Sequence, residues 1–240
     1  MNITRVYLDK EFQLEMELQL SKESSMHLIK VLRKKSGDEI ELFDGRGSAC
    51  RAILMDLVKD KQRVQIISEC FFSKRDNIEI NIGLALIKKD PFSIALQKAA
   101  ELGVNSVTPL ITERTQLALK NIKKSKVARW NTIVRGACEQ CGDNWVPEIS
   151  EPIDLISWSK KINSKTKLVL YPQSKKKITD ISLSDSISLA VGPVGDFTEK
   201  EISSLEDIGF MPVSIGERIL RAETAVISSI SCIRTMTGGF

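Results

Sequence analysis

Segments that contain glycine or proline beside apolar runs are the residues in this sequence best suited to bind a ligand. They are "LVLYP" (168–172), "LAVGPVGDF" (189–197) and "SIGERILRAETA" (214–225). Glycine permits close approach of the backbone to a ligand, and proline stiffens a loop. In an open parallel sheet, ligands lie beyond the carboxyl ends of the strands. None of the segments has the GxGxxG or P-loop pattern, so together they predict a composite nucleotide-cofactor site of another kind.

The cysteines and the histidine suggest other chemistry, but less strongly. Cys138 and Cys141 form a CxxC pair at the end of a predicted helix, and no second pair accompanies them. A structural zinc site needs four ligands, and redox cysteines are usually activated at the start of a helix. His27 is the single histidine, so a catalytic triad would have to be unconventional. We expect structural roles and no metal, with a redox function of the cysteine pair as an alternative.

The chain as far as residue 72 has the pattern of a small β-barrel. "EIELFDGRG" alternates apolar and polar residues and then turns at Asp44-Gly45. "SACRAILMDLV" and "RVQIISECFF" predict further strands, and "SSMHLIKVLRKKSG" predicts a helix that stops at Gly37. We therefore predict a first domain over residues 1–72, followed by a polar link.

From residue 78 onward, apolar strands alternate with helices. "IEINIGLALI" predicts a buried strand, and "PFSIALQKAAELG" predicts a helix with Pro91 near its start and Gly103 past its end. Thr198 and Glu201 form a capping-box pattern at the start of a later helix. Alternating strands and helices indicate a mostly parallel sheet covered on both faces. We therefore predict an α/β domain over residues 78–240.

Composition and charge indicate a globular protein with an anionic partner. The chain is 42% hydrophobic and 28% charged, with a formal net charge of +4. Basic residues cluster at 33–35, 120–129 and 175–177, which favours a partner with an anionic surface, such as RNA. The sequence contains no run of about twenty apolar residues, so we predict no membrane span. Five cysteines, an odd number, fit a reducing cytosol.

Longer motifs follow one another in a fixed order along nearly the whole chain. They are "TRVYL", "HLIKVLRKKSGDEIELFDG", "KAAELGVNSVTPLITER", "ACEQCGDNWVPEI" and the pair "GPVGDFTEKEI" and "IGERILRAETA". Together they resemble the bacterial ribosomal small-subunit RNA methyltransferase E family, whose members methylate N3 of a uridine. These enzymes belong to the SPOUT, or trefoil-knot, superfamily.

The resemblance implies a small PUA-like β-barrel followed by a SPOUT-type α/β domain with a C-terminal trefoil knot. It implies a cytoplasmic homodimer, without a membrane partner, that methylates 16S ribosomal RNA, free or in the assembled small subunit. The implied cofactor is S-adenosylmethionine. The backbones of three loops would hold this cofactor, at Leu170, Pro172, Gly192, Gly195, Ile215, Gly216 and Leu220.

Catalytic and RNA-binding residues follow from the same resemblance and from the chemistry. Uracil N3 is a weak nucleophile while it is protonated, so a carboxylate base or an arginine near the uracil oxygens would help the reaction. We expect Asp196 and Arg221 in these roles. The residues expected to bind RNA are Arg5, Arg33 and Lys34 in the barrel and Arg218 in the last loop.

The chain departs from the family pattern beside the expected site. Many members read Gly-Pro-Glu-Gly-Gly where this chain reads Gly-Pro-Val-Gly-Asp, so Val194 replaces a glutamate and Asp196 replaces a glycine. Many also carry an arginine where Asp143 stands. Asp196 offers a replacement carboxylate. The loss of the glutamate at position 194 and of the arginine at position 143 motivates an alternative, a knot protein that binds RNA without turnover.

Overall fold

The computed structural model describes residues 3–115 and 124–239, which divide into two units. The first unit comprises Met1–Arg75 with Cys138–Val146, and the second comprises Asp76–Ala137 with Pro147–Phe240. The predicted fold class, a small β-barrel followed by an α/β domain, is confirmed. Each unit has its own sheet and its own core.

Within its described residues, the first unit contains one six-stranded sheet. Its order is β1-β3-β4-β5-β2, and β6 pairs with β4. The inner residues, among them Leu20, Leu28 and Leu42, form a buried apolar cluster that holds the unit together. The predicted turn at Asp44-Gly45 is confirmed, since it joins β3 to β4 and Gly45 has a φ of 77°. The strands are β1 (Thr4–Tyr7), β2 (Glu17–Gln19), β3 (Glu39–Phe43), β4 (Ser48–Val58), β5 (Lys61–Ile66) and β6 (Phe71–Phe72).

The predicted helix of the barrel is shorter than its sequence pattern suggests. Helix α1 (Lys22–Met26) begins after Ser21, whose hydroxyl accepts the Ser24 N–H at 3.0 Å. One π-helical turn follows over His27–Val31. The chain then leaves the helix because Arg33 takes a left-handed φ of 53°. The basic residues after this point therefore lie on a loop.

The second unit is built on a parallel sheet with the order β10-β8-β7-β12-β11-β13, and β9 also pairs with β8. This confirms the parallel arrangement predicted from the alternation of strands and helices. The two-residue strands β9 and β10 are additions that the sequence did not predict. The strands are β7 (Glu79–Ala85), β8 (Ser106–Ile111), β9 (Glu148–Ile149), β10 (Ile153–Asp154), β11 (Thr166–Leu170), β12 (Ser186–Val191) and β13 (Met211–Val213).

Two helices of the second unit keep their predicted signals: α2 ends before Gly103, and α5 begins at the Thr198 cap. Thr198 and Glu201 form the predicted capping box, with the Glu201 carboxylate accepting the Thr198 N–H at 2.8 Å. In the described chain, no helix combines the length and apolar character that a membrane span needs. After α1, the helices are α2 (Lys89–Glu101), α3 (Lys124–Cys141), α4 (Leu155–Lys161), α5 (Glu199–Asp207) and α6 (Ala222–Thr237), with a 3-10 turn at Ile178–Asp180.

Helix α6 packs in the second unit through one apolar face. Val226, Ile230 and Ile233 are fully buried. Near its end, the Arg234 side chain is 2% exposed and donates to the carbonyls of Leu102 and Gly103. It also pairs with the Asp76 carboxylate at 2.8 Å. These bonds fix the end of α6 against the end of α2.

The sheet order brings the ends of three strands to one edge. Strand β11 lies between β12 and β13, so the connection from β12 to β13 has to cross β11. After β13, the Ser214 N–H donates to the Lys176 carbonyl at 2.8 Å. The last segment before α6 therefore runs beside the connection between β11 and β12.

Candidate active site

A cavity of about 660 Å³ lies beyond the carboxyl ends of β11 and β12. Its volume falls in the range of small-molecule sites, roughly 300–1,000 Å³. The loops after β7, β11 and β12 and the start of α6 contribute its walls. The cavity therefore lies where open parallel sheets bind their ligands, beyond the carboxyl ends of the strands. The lining includes Ile87, Lys88, Pro91, Leu170, Pro172, Gln173, Gly192, Val194, Gly195, Asp196, Ile219, Leu220, Arg221 and Glu223.

The loop after β12 is a tight turn that requires its glycines. The Asp196 N–H donates to the Pro193 carbonyl at 3.0 Å, and Gly195 takes a φ of 90°. A Cβ on Gly192 would lie 2.9 Å from Asp196 Oδ1 and 3.2 Å from the Phe197 ring. The turn therefore leaves no room for a side chain at Gly192.

Asp196 directs a carboxylate into this loop from an uncommon backbone conformation. Its φ is 66°, a left-handed value that aspartate tolerates better than most residues. Oδ1 accepts the Phe197 N–H at 2.8 Å. Oδ2 is buried, and among the described residues it has no hydrogen-bond partner. This oxygen is therefore available to accept a proton or a hydrogen bond.

The surroundings of Asp196 raise its pKa. Burial raises the pKa of the carboxyl above its ordinary value and outweighs the Phe197 N–H and the Arg114 charge, which lower it. The negative charge of Glu201 adds to the increase. Arg114 also donates to the Gly195 carbonyl and so holds the turn from outside. The result is a carboxyl with a raised proton affinity at the wall of the cavity.

The last loop forms a second wall and a smaller cavity of about 50 Å³. Leu170, Pro172, Leu220 and Ala225 line both cavities, so the two adjoin. Arg221 lines the larger cavity and directly precedes α6. The smaller cavity is lined by Ile215, Gly216 and Arg218 together with the shared residues.

The structure brings most of the predicted site residues together. All seven predicted cofactor residues line one or both of the adjoining cavities, as do Asp196, Arg221 and Arg218. Arg33 is exposed and Lys34 is half-buried, both on the loop after α1. Of the basic cluster at 120–129, residues 120–123 lie outside the described residues.

Arg5, which was predicted to bind RNA, is held inside the first unit. Its side chain is 12% exposed and pairs with Glu41. It also donates to Asn144 Oδ1 at 2.6 Å and to the Asp143 carbonyl at 3.0 Å. Its guanidinium therefore joins β1 to the segment that follows α3.

Of the cysteine pair, Cys138 is buried and Cys141 is exposed. The Cys138 thiol donates to the Trp145 carbonyl at 3.5 Å, and its contact with Cys141 and its burial raise its pKa. Such a thiol is a poor nucleophile. Among the described residues, no group of three or more His, Cys, Asp or Glu side chains could hold a metal ion.

Sequence reasoning missed the wall that the loop after β7 contributes. Ile87, Lys88 and Pro91 line the larger cavity. The signal was present, because "IEINIGLALI" was predicted as a strand and its carboxyl end meets the same edge of the sheet. Arg114, which supports Gly195, left no comparable signal in the sequence.

Two family profiles match the chain. One, described as RNA methyltransferase domain, covers residues 74–234, and the other, described as RNA methyltransferase PUA domain, covers residues 20–67. The ribosomal RNA small subunit methyltransferase E of Buchnera aphidicola subsp. Schizaphis graminum is 31% identical over 98% of this chain and 97% of its own length. The protein of that name from Rickettsia conorii is 30% identical over 98% of this chain and 97% of its own length.

Solved structures are similar along the whole chain. A methyltransferase from Legionella pneumophila, in complex with the cofactor SAM, superimposes with a TM-score of 0.91 and 35% identity. A ribosomal RNA small subunit methyltransferase E from Neisseria gonorrhoeae, bound to S-adenosyl methionine, gives a TM-score of 0.89 and 33% identity. Each comparison covers 98% of both chains.

Proposed function

This chain belongs to the ribosomal RNA small subunit methyltransferase E family, and from that membership we propose that it methylates N3 of a uridine in 16S ribosomal RNA with S-adenosylmethionine. The observation that carries the proposal is the meeting of the three predicted loops around one cavity. Residues 1–72 are the PUA-like domain that binds RNA, and residues 78–240 are the methyltransferase domain with the trefoil knot. The protein works as a homodimer in the cytoplasm.

The cavity suits S-adenosylmethionine in size and in chemistry. When bound, this cofactor supplies a methyl group on a sulfonium, which is a good leaving group. Leu170, Pro172 and Leu220 offer apolar contact to the adenine. The close-packed turn after β12 and the loop after β13 offer backbone groups for the polar parts of the cofactor, at Gly192 and Gly195 and at Ile215 and Gly216.

Asp196 and Arg221 supply the acid–base chemistry. Asp196 Oδ2 accepts the N3 proton of the uracil, because it is buried and its pKa is raised toward the range of an effective base. The Arg221 guanidinium stabilises the negative charge that develops on the uracil oxygens. Val194 cannot do either task, so Asp196 replaces the carboxylate that many family members carry two positions earlier, at the place of Val194.

RNA contacts come from both domains. Arg33, Lys34 and Arg218 bind phosphate groups of the substrate, since each is exposed or half-buried on a loop. Arg5 contributes by holding Asp143 and Asn144 on the barrel.

Transfer of a labelled methyl group tests the proposal. Small ribosomal subunits from cells that lack the protein are incubated with the protein and labelled S-adenosylmethionine, and the RNA is digested to nucleosides. We expect label in 3-methyluridine. Asp196→Asn is the matched variant, and it should bind the cofactor but lose most of the label. If the wild type binds the cofactor and labels no uridine, the alternative of binding without turnover replaces the proposal.

A further inference from the structure

Strand β6 carries exposed aromatic residues that the methyl-transfer site does not use. Phe72 is 64% exposed, and its ring meets the Trp145 ring edge-on, with centroids 5.7 Å apart. The Arg75 guanidinium lies 5.0 Å from the centroid of the Trp145 ring. We refer to Phe72, Trp145 and Arg75 as the aromatic platform.

Hydrogen bonds fix the platform in place. Trp145 Nε1 donates to the Ser73 carbonyl at 2.9 Å, and Asn144 Nδ2 donates to Ser73 Oγ at 2.8 Å. The Ser73 N–H in turn donates to the Gly47 carbonyl at 2.8 Å. The residues on either side of Phe72 and Trp145 are thus tied to the barrel, while most of the Phe72 side chain stays exposed. A ring held in this way loses little conformational entropy when a ligand stacks on it.

The packing beneath the rings requires a glycine. Gly47 has a φ of 101°, and a Cβ there would lie 2.7 Å from Trp145 Cζ2 and 2.8 Å from Phe72 Cε2. Both rings therefore rest on bare backbone. This support is specific to Phe72, because Phe71 is the neighbouring residue of the strand and points to the opposite face.

Positive charge flanks the platform. Lys74 is exposed two residues after Phe72, and Arg75 lies over the Trp145 ring. The Asp143 carboxylate on the same segment as Trp145 already accepts the Trp145 backbone N–H at 2.9 Å. Exposed aromatic rings beside cationic side chains are the combination by which proteins bind single-stranded nucleic acid. The cations favour RNA as the occupant over a second copy of this basic chain.

We propose that the aromatic platform binds an unpaired base of the RNA substrate by stacking it on Phe72, while Lys74 and Arg75 hold the adjoining phosphates. The inference rests on the proposed function, because it takes RNA as the substrate, and it adds that the barrel binds a single-stranded segment. Every base has an aromatic face, so the platform contributes affinity and does not select a sequence.

Binding of a fluorescent single-stranded RNA of about 12 nucleotides tests the inference. We expect Phe72→Leu, which keeps apolar bulk but removes the ring, to weaken binding by about 5- to 150-fold. Phe72→Tyr should bind as the wild type does. The matched control is Phe71→Leu on the same strand, which should change the affinity less than twofold, within the scatter expected for surface changes. S-adenosylmethionine affinity, measured in parallel, should be the same in all variants because the cofactor cavity lies in the second unit. Circular dichroism should show that the first unit keeps its strands in every variant.

Tryptophan fluorescence gives a second readout. Trp130 and Trp158 are 4% and 5% exposed, whereas Trp145 is half-buried, so quenching by acrylamide reports mainly on Trp145. RNA should protect the wild type from the quencher and protect Phe72→Leu less at the same RNA concentration.

Two results would overturn the inference. In the first, Phe72→Leu binds RNA as tightly as the wild type, or Phe71→Leu loses as much affinity. In the second, Phe72→Leu changes only the self-association seen by sedimentation, which makes the occupant a second copy. Failure of the proposed function is separate, since it appears as a wild type that transfers no methyl group, whatever its RNA affinity.

Discussion

Replacing Gly192 by alanine tests the packing of the candidate cofactor loop. The added Cβ would lie 2.9 Å from Asp196 Oδ1 and 3.2 Å from the Phe197 ring. Phe197 is 2% exposed within the core of the second unit, so its ring cannot move away. Asp196 has to move instead, and its bond to the Phe197 N–H is then lost. Overpacking of this kind costs about 1–3 kcal/mol.

Two measurements on Gly192→Ala follow from this cost. The melting temperature should fall, at roughly 2–4 °C per kcal/mol for a chain of this size. The dissociation constant for S-adenosylmethionine, measured by calorimetry, should also rise, because the displaced loop no longer presents its backbone groups to the cofactor in the same geometry. A loss of about 1.4 kcal/mol of contact energy in the complex equals a factor of ten.

Gly136→Ala is the matched control because it makes the same chemical change, but we expect it to raise the free energy of unfolding. Gly136 is exposed within α3, and a Cβ there would meet no atom within 4 Å. Alanine should therefore raise the free energy of unfolding by about 0.5–1 kcal/mol. If Gly192→Ala melts at the wild-type temperature and binds the cofactor normally, the described packing of the loop is wrong.

Further predictions concern stability. Arg234→Met removes the bonds to the half-buried carbonyls of Leu102 and Gly103 and to the exposed Asp76 carboxylate. The free energy of unfolding in urea should fall by about 1–3 kcal/mol, because these carbonyls lose their hydrogen-bond donor. An unchanged urea midpoint would contradict the role of Arg234. Burial raises the pKa of Asp196 in the folded state above its value in the unfolded state. At a pH between these two pKa values, the folded state therefore binds more protons than the unfolded state. The contribution of Asp196 to the free energy of unfolding then falls as the pH rises through this window. Asp196→Asn should flatten this slope in urea titrations across the acid range, and a slope identical to the wild type would exclude Asp196 as its source. Thr198→Ala should lower the free energy of thermal unfolding by about 1 kcal/mol, because the Glu201 N–H loses the hydroxyl that caps it. Thr198→Ser keeps the hydroxyl and should change the free energy of unfolding little. Equal losses in both variants would exclude the cap as the cause.

Local signals in the sequence were sufficient for the elements that form the site. Capping residues, helix-ending glycines and apolar runs depend on the nearest few residues. They predicted α2, whose Pro91 lines the cavity, α5, which begins just after the Asp196 turn, and the strands that end at the cavity. The rule that parallel strands present their carboxyl ends at one edge then brought Gly192, Gly195 and Gly216 together.

Long-range contacts left no such signals. Arg234 lies in the last turn of a helix, where an arginine usually stays in solvent and interacts with the negative end of the helix dipole. Here its guanidinium donates instead to the carbonyl of Leu102, 132 positions away in the sequence. Arg5 was predicted to bind RNA, but its nearest partners include Asn144, 139 positions away. The two-residue strands β9 and β10 are too short to show any period.

A crystal structure with S-adenosylmethionine is the most direct test of the central claim, that the loops after β11, β12 and β13 form the site of the methyl donor. We predict density for the cofactor between Leu170, Gly192 and Leu220, with Asp196 beside the cavity. Cofactor density elsewhere on the chain, or none at a concentration that saturates binding in solution, would contradict the account.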